Sequence, residues 1–292
     1  MSLTSHTFKI RVRAFLPQLP VYILLLIFAV LVLVPLGWAV LSSFKDTMEF
    51  QNPFALPNHL KLANYRNAWV DAHMGDYFLN SVYITAIGLV LLVLLAVPCG
   101  YVLSRFKFRF NKLLATLMMA GIFINVNYIV VPIYTMLAQF GGSTGIRLLN
   151  NKTMVAVIYA VTSVPFAVYL LSGYFKSLPT SYEEAAKIDG CGYFGTLFRI
   201  IMPLTKPSII TVLLFNFMKF WNEFLIALTF LTRRQNWTLA VGLLDLMEVE
   251  RIANDYGRLF AGLVIVMLPT LILYCLVQDK LTKGIAIGGI KG

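Results

Sequence analysis

VYILLLIFAVLVLVPLGWAVL, from Val21 to Leu41, runs for 21 residues without an Asp, Glu, Lys, Arg or His. A hydrocarbon layer about 30 Å thick is spanned by roughly 20 residues of helix. Inside that layer every backbone N–H and C=O needs a partner within the chain, and a helix supplies one for each. The run is longer than the 7 to 15 apolar residues typical of a secretory signal, and no clear small-residue cleavage site follows it. It therefore reads as an uncleaved membrane helix. Five further apolar runs of similar length follow, at Asn80 to Leu103, Leu113 to Leu137, Met154 to Phe175, Ser208 to Leu231 and Leu259 to Leu281. The expectation is an all-α, polytopic membrane protein with six transmembrane helices.

The composition agrees with that reading. Hydrophobic residues make up 59% of the 292 and charged residues 13%, and the mean hydropathy is +0.78, far from the balance of a soluble domain. A net charge of +11 is compatible with nucleic-acid binding, so the position of the cations decides. With the N-terminus inside, fourteen Lys and Arg fall on the inner side, nine on the longer outer segments, and Lys219 within a span. The loop Arg105, Lys107, Arg109, Lys112 holds four bases and no acid. This asymmetry is the positive-inside pattern, so both termini are expected in the cytoplasm and no nucleic acid is implied.

The expected layout is a basic arm over residues 1–20, a membrane domain over 21–281 and a cytoplasmic tail over 282–292. The outer segment Lys45 to Tyr77 has apolar side chains throughout and is expected to be ordered. Gly141 to Lys152 begins as a turn. In Thr232 to Arg258, the spacing of Leu239, Leu243, Leu246 and Met247 predicts a short surface helix. Cys99, Cys191 and Cys275 show no metal or disulfide spacing and read as structural thiols. His6, His59 and His73 are scattered, so no metal site is expected. No nucleophile, base and acid group together, so no catalytic residues are expected.

The loop between the fourth and fifth runs, 176–207, is KSLPTSYEEAAKIDGCGYFGTLFRIIMPLTKP. Pro179 closes what precedes it, and Ser181 with Glu184 has the S-x-x-E spacing of a capping box, predicting a helix start. Asp189-Gly190 predicts a turn. A second helix is expected from about Tyr193 to Ile201, stopping before Pro203, with Pro207 in the first turn of the next span. The result is a helix, turn, helix element at the membrane surface, suited to docking in another protein's groove.

Glu184-Ala185-Ala186, Asp189-Gly190, Ile200 or Ile201 and Pro203 resemble the EAA loop of bacterial ABC-importer permeases. Cys191 stands where that pattern has Ala, and Met202 where it has Leu. Ser42-Ser43-Phe44-Lys45, Asn64-Tyr65, Asn80-Ser81, Trp221-Asn222-Glu223-Phe224 and the ending Gly288-Gly289-Ile290-Lys291-Gly292 are similar to the carbohydrate-type branch of the family. The resemblance implies a permease subunit in the bacterial inner membrane that imports a sugar or oligosaccharide, neutral or anionic, by alternating access. It implies as partners two copies of an ATP-binding subunit, a second permease subunit expected to be a different chain, and an extracytoplasmic solute-binding protein. Glu183, Glu184, Ala185, Ala186, Asp189, Gly190 and Pro203 would then form the cytoplasmic coupling helix that docks on the ATPase. No G-x-x-x-x-G-K-[ST] loop occurs. The chain itself is thus expected to be no enzyme and to hold no cofactor, with ATP and Mg in the partner subunits.

Lys219 and Glu223 are ionisable groups in an apparent span, each costing roughly 2.5–3.5 kcal/mol on insertion scales. Helical spacing puts Asn216, Lys219 and Glu223 on one face, beside Asn222, as a polar stripe along a translocation path. The bland alternative is an i,i+4 ion pair that neutralises itself. Asn125, Asn127 and Tyr128 either line the same path or make interhelical hydrogen bonds, the second being favoured. The alternative class, an ion-gradient-driven secondary transporter, calls for inverted repeats and midplane carboxylates. No internal repeat is found, and Glu223 is the one such carboxylate.

Overall fold

The computed structural model describes the backbone of residues 18–289 and the side chains of 18–278; the arm before Gln18 and the tail beyond lie outside the described residues. It is helical from end to end, with no strand among the described residues. Eleven helices carry the argument: α1 Leu19–Ser42, α2 Met74–Arg105, α3 Asn111–Ile122, α4 Val126–Thr144, α5 Lys152–Ser177, α6 Ser181–Ile188, α7 Tyr193–Leu204, α8 Lys206–Trp221, α9 Leu225–Phe230, α10 Leu239–Ala253 and α11 Tyr256–Gly289. Among them α1, α2, α5 and α11 are single apolar helices long enough to cross a bilayer. The third expected span is bent by 103° between α3 and α4, and α7 and α8 meet at 77°. With each bent pair taken as one span, the six expected crossings are present.

The bends have local causes. At the first, Asn125 leaves the helical conformation and its side chain accepts the Asn127 N–H at 2.9 Å, starting α4 afresh. At the second, Pro207 lacks an N–H and sits in the first turn of α8, as expected. The fifth run is also shorter than predicted: α8 ends at Trp221, and α9 begins at Leu225 after a break at Asn222–Phe224. Apolar periodicity alone does not register a break that a single side chain can cap.

The contacts divide the described residues into two compact units, 18–68 with 248–264, and 69–247 with 265–289. In the larger unit α2 and α5 pack along most of their length, α8 lies against both, α3 rests on α5, and α9 on α4 and α5. Small residues make this close approach possible. Ala156, Ala160, Ser163 and Ala167 form a fully buried stripe on α5. On α2, a Cβ at Gly88 would lie 3.2 Å from the Phe220 ring, and one at Gly100 would lie 3.3 Å from Leu171. Between helices in lipid, where apolar burial gives little drive, tight van der Waals contact supplies the attraction.

In the smaller unit α1 is exposed along its apolar length, with Leu24 at 54% and Leu31 at 64%, so it needs an apolar solvent. Where α1 ends, Asn64 Nδ2 donates to the Ser43 and Lys45 carbonyls, both at 2.9 Å, and the Ser43 and Tyr65 hydroxyls meet at 2.7 Å. Lys45 is fully buried and donates to the Pro53 carbonyl. Thus Ser42 to Lys45 and Asn64-Tyr65, separate in sequence, form one knot. Asp46 and Glu49 build a capping box, and the hydrogen bonds from Lys61 and Thr47 hold the Asp46 carboxyl below its usual range. Glu250 on α10 is fully buried; burial pushes its carboxyl up, opposed by its ion pair with Arg258. A Cβ at Gly257 would run into the Lys45 carbonyl oxygen and the Asn64 amide. Gly257→Ala is accordingly expected to destabilise the chain by about 1–3 kcal/mol, read as a lowered unfolding temperature in detergent; an unchanged midpoint would remove this knot as a stabilising feature.

Candidate functional site

The segment after α5 takes the predicted helix, turn, helix form with three changes. α6 begins at Ser181, but its cap position is Thr180, and no side chain caps it. The box register is therefore shifted by one, and the acid three residues after the cap is Glu183, which is engaged elsewhere. Arg105, at the end of α2, forms an ion pair with Glu183 at 2.9 Å, the two side chains being 10% and 13% exposed. The same guanidinium donates to the Leu178 carbonyl at 2.7 Å. Phe106 meets the Tyr101 and Tyr193 rings edge-on, and these rings share with the pair the lining of a cleft of about 380 Å³ that also has Lys187 and Cys191 in its wall.

The turn is built on Gly190. Its N–H bonds to the Lys187 carbonyl, the Cys191 N–H reaches back to Ala186 at 2.8 Å, and Gly190 sits at φ +77°. That is a Schellman ending, in which the residue after the cap must be left-handed. A Cβ on Gly190 would meet nothing within 4 Å, so the backbone conformation, not space, requires glycine.

The third change is at Pro203. Instead of stopping, α7 continues to Leu204 through a widened π turn at Thr196–Ile201. The wider turn just before the proline accommodates a residue that cannot donate to the ladder.

The acids and small residues singled out from sequence divide by face. Glu183 and Ala186 point inward, Ala186 being buried, and α6 packs on the π turn. Glu184, Ala185, Asp189 and Gly190 are exposed. Around them Ile188 is 87%, Phe194 76% and Tyr193 69% exposed. Arg105 escaped the sequence reading, which counted it only as one base of a cationic loop; nothing in its local pattern distinguishes it from Lys107 or Arg109.

The expected polar stripe on the fifth span is not a stripe. Asn216 is buried and donates to its own helix at the Val212 carbonyl, 2.8 Å. Lys219 reaches across to Ser163 on α5 at 2.9 Å. Asn222 is exposed and bonds to the Met218 carbonyl. Glu223 has left the helix: its carboxylate accepts the N–H groups of Ile226 and Ala227 at 2.8 and 3.1 Å and the Tyr159 hydroxyl at 2.7 Å. The helical ion pair between Lys219 and Glu223 is thus replaced by two separate ties to α5. The carboxylate caps α9, where the free N–H groups and helix dipole favour negative charge. Asn125 likewise caps its own helix and does not bond to another, while Asn127 and Tyr128 are exposed. Cys99, Cys191 and Cys275 are free thiols. Among the described residues no three His, Cys, Asp or Glu gather as metal ligands.

At the other end of α5, Asn80 donates to the Gln235 and Trp237 carbonyls at 2.9 and 3.0 Å, and the Ser81 hydroxyl accepts the Leu239 N–H at 2.8 Å. These bonds tie the α9 to α10 connection to α2.

Comparison with known proteins places this architecture. Residues 94–285 match the family described as "Binding-protein-dependent transport system inner membrane component". The chain is 37% identical over 266 residues to the diacetylchitobiose uptake system permease protein NgcG of Streptomyces coelicolor, covering 91% of this chain and 86% of that protein. It is 33% identical over 276 residues to the multiple sugar-binding transport system permease protein MsmG of Streptococcus mutans, covering 92% and 96%. It is 30% identical over 262 residues to the sulfoquinovosyl glycerol transport system permease protein SmoH of Agrobacterium fabrum, covering 89% of each. A chain from the crystal structure of a bacterial ABC transporter that imports the acidic polysaccharide alginate has the same fold, with a TM-score of 0.76, 23% identity, and 96% and 98% of the two chains covered. The six apolar crossings, the helix, turn, helix element between α5 and α8, and these relatives lead to one assignment: the chain belongs to the inner-membrane permease components of binding-protein-dependent, sugar-type ABC transporters.

Proposed function

We propose that this chain is the permease subunit of an ATP-driven importer for an oligosaccharide, and that α6 transmits the motion of a separate ATPase subunit to the membrane helices. The observation that carries the reading is the two-sided character of α6. Its outer side offers Ile188, 87% exposed, with Glu184 and Ala185, and the turn and helix that follow it add the exposed Gly190 and Phe194. An apolar patch rimmed by polar groups marks a protein contact. Its inner side is tied to the end of α2 by Arg105 and Glu183.

That tie gives the docking element a rigid connection to the bundle. A force on α6 reaches α2 through an ion pair shielded by aromatic rings, and reaches α5 through the Leu178 carbonyl that Arg105 also holds. α2 and α5 pack together along their length, so the load is shared by two spans. With the basic loop Arg105 to Lys112 and α6 on the cytoplasmic side, the Lys152 end of α5 lies outside. ATP and Mg belong to the partner subunits, two copies of the ATPase serving this chain and a second, different permease chain.

On this reading the substrate path runs past the break at the end of α8. Lys219 with Ser163, and Glu223 with Tyr159, put polar groups at membrane depth around a non-helical segment, and irregular backbone is tolerated there where it is buried in protein or lines a cavity. The relatives named for diacetylchitobiose, for multiple sugars and for sulfoquinovosyl glycerol support a sugar or oligosaccharide, neutral or anionic, as cargo.

The transporter reconstituted with its partners tests these roles. Gly190→Ala adds only the left-handed strain, about 1–2 kcal/mol, and should leave uptake largely intact. Gly190→Trp adds bulk to the docking side as well and should cut uptake at least tenfold while ATP hydrolysis continues; equal uptake in the two variants would refute docking through this turn. Glu184→Gln should weaken copurification of the ATPase subunit. Arg105→Gln and Glu183→Gln should leave copurification intact but lower the solute moved per ATP severalfold; unchanged coupling in both would sink the role of the tie.

A further inference from the structure

Between α2 and α3 the chain reads Arg105-Phe106-Lys107-Phe108-Arg109-Phe110-Asn111-Lys112, base and aromatic ring alternating from Arg105 to Phe110. The structure divides the four cations. Arg105 is committed to Glu183 and the Leu178 carbonyl. Lys107, Arg109 and Lys112 are exposed, and the ion pairs among the described residues include none of them. No Asp or Glu occurs between Asp76 and Glu183, and Glu183 is already taken, so this stretch of chain supplies them no counter-charge. Three like charges held in one short loop repel each other, and an anion among them relieves that repulsion.

The loop holds its shape by its own bonds. Asn111 Nδ2 donates to the Phe106 and Leu103 carbonyls at 2.6 and 3.2 Å, and the Asn111 N–H donates to the Phe108 carbonyl at 3.0 Å. These bonds fold the loop back onto the end of α2. α3 then starts with no acid in its first turn and no side-chain cap. Lys112 sits in that first turn, where the helix dipole disfavours a cation. The arrangement is unfavourable for the chain alone and becomes favourable with an anion beside it.

The apolar groups show what carries the anion. Phe108 and Phe110 are exposed, and the Arg109 guanidinium stands 5.7 Å from the Phe110 ring centroid. Directly after them Leu113, Leu114 and Leu117 are exposed on α3, which with α4 makes up a bent pair apolar enough to cross the bilayer. The aromatic loop is thus continuous in sequence with a helix that meets lipid tails, and it lies where α2 ends. Bases interleaved with exposed Phe and Leu suit the boundary between headgroups and acyl chains.

We infer that this loop is a binding site for the headgroup of an anionic phospholipid, with Arg109 and Lys112 on the phosphate and Phe108 and Phe110 against the acyl chains. Because Arg105 in the same loop holds α6, a lipid bound there also steadies the docking element, a consequence that rests on the reading under Proposed function.

The test places the complete transporter in phosphatidylcholine nanodiscs and adds labelled phosphatidylglycerol or labelled phosphatidylcholine. Each Lys or Arg at an anionic lipid surface is worth roughly fivefold in affinity, so the parent should prefer phosphatidylglycerol, and Arg109→Gln with Lys112→Gln should cut that preference at least tenfold. Arg147→Gln with Arg233→Gln, which removes two exposed cations near the Lys152 end of α5, should leave it as in the parent. Parent-like preference in the loop variant would overturn the site. Displacement of the labelled lipid by soluble glycerol phosphate would assign the loop to a free anion and overturn it too. If the loop variant sheds the ATPase subunit yet keeps its lipid preference, the cations belong to a protein contact and the inference is wrong. In vesicles containing phosphatidylglycerol, uptake by the parent should exceed that in neutral vesicles severalfold, an advantage the loop variant should lack; an equal advantage in both would overturn the link from lipid to α6. A parent that shows the lipid preference but no ATP-dependent uptake in either vesicle would refute the permease reading and leave the lipid site standing.

Discussion

Every backbone donor and acceptor at membrane depth must be satisfied inside the protein, and the architecture follows from how this chain meets that demand. Where the helices run unbroken the demand is met automatically. Where they break, a named side chain meets it: Asn125 at the start of α4 and Glu223 at the start of α9. Each break is therefore a fixed feature of the fold and not a weak point in it.

The same economy governs the charged groups. Glu223 works as a helix cap and holds Tyr159, so its charge is stabilised by oriented N–H groups in place of a lysine. Arg105 holds both a carbonyl and a carboxylate, and so ties the end of one span to the loop after another. Removing one partner of so shielded a pair leaves a charge with poor solvation, at a cost of about 3–5 kcal/mol for a fully buried case. An interaction with that penalty resists being pulled apart, so it holds α6 to the end of α2. At the other end of α5 the arrangement is reversed: among the described residues no acid forms an ion pair with Arg147, Lys152 or Arg233.

The two faces of α6 differ sharply in burial. Glu183 and Glu184 are adjacent and chemically equivalent, yet successive helical positions lie about 100° apart, since 3.6 residues make a turn. One acid is committed to the protein's interior and the other is exposed. The left-handed Gly190 then ends the helix abruptly and keeps that exposed side compact.

Much of this was legible in the chain itself. Six apolar runs, the clustering of Lys and Arg, and the order Pro179, Glu184, Gly190, Pro207 determined the helical membrane class, the number of crossings, the helix, turn, helix element and the glycine turn, because these depend on local hydropathy and backbone preference. Tertiary structure alone decided which of two adjacent acids is buried, that Lys219 and Glu223 part company, that Asn64 gathers the end of α1, and that Arg147 and Arg233 share a hollow with Lys152. Those outcomes turn on which side chains meet across tens or scores of residues, and periodicity along a single helix carries no record of its neighbours.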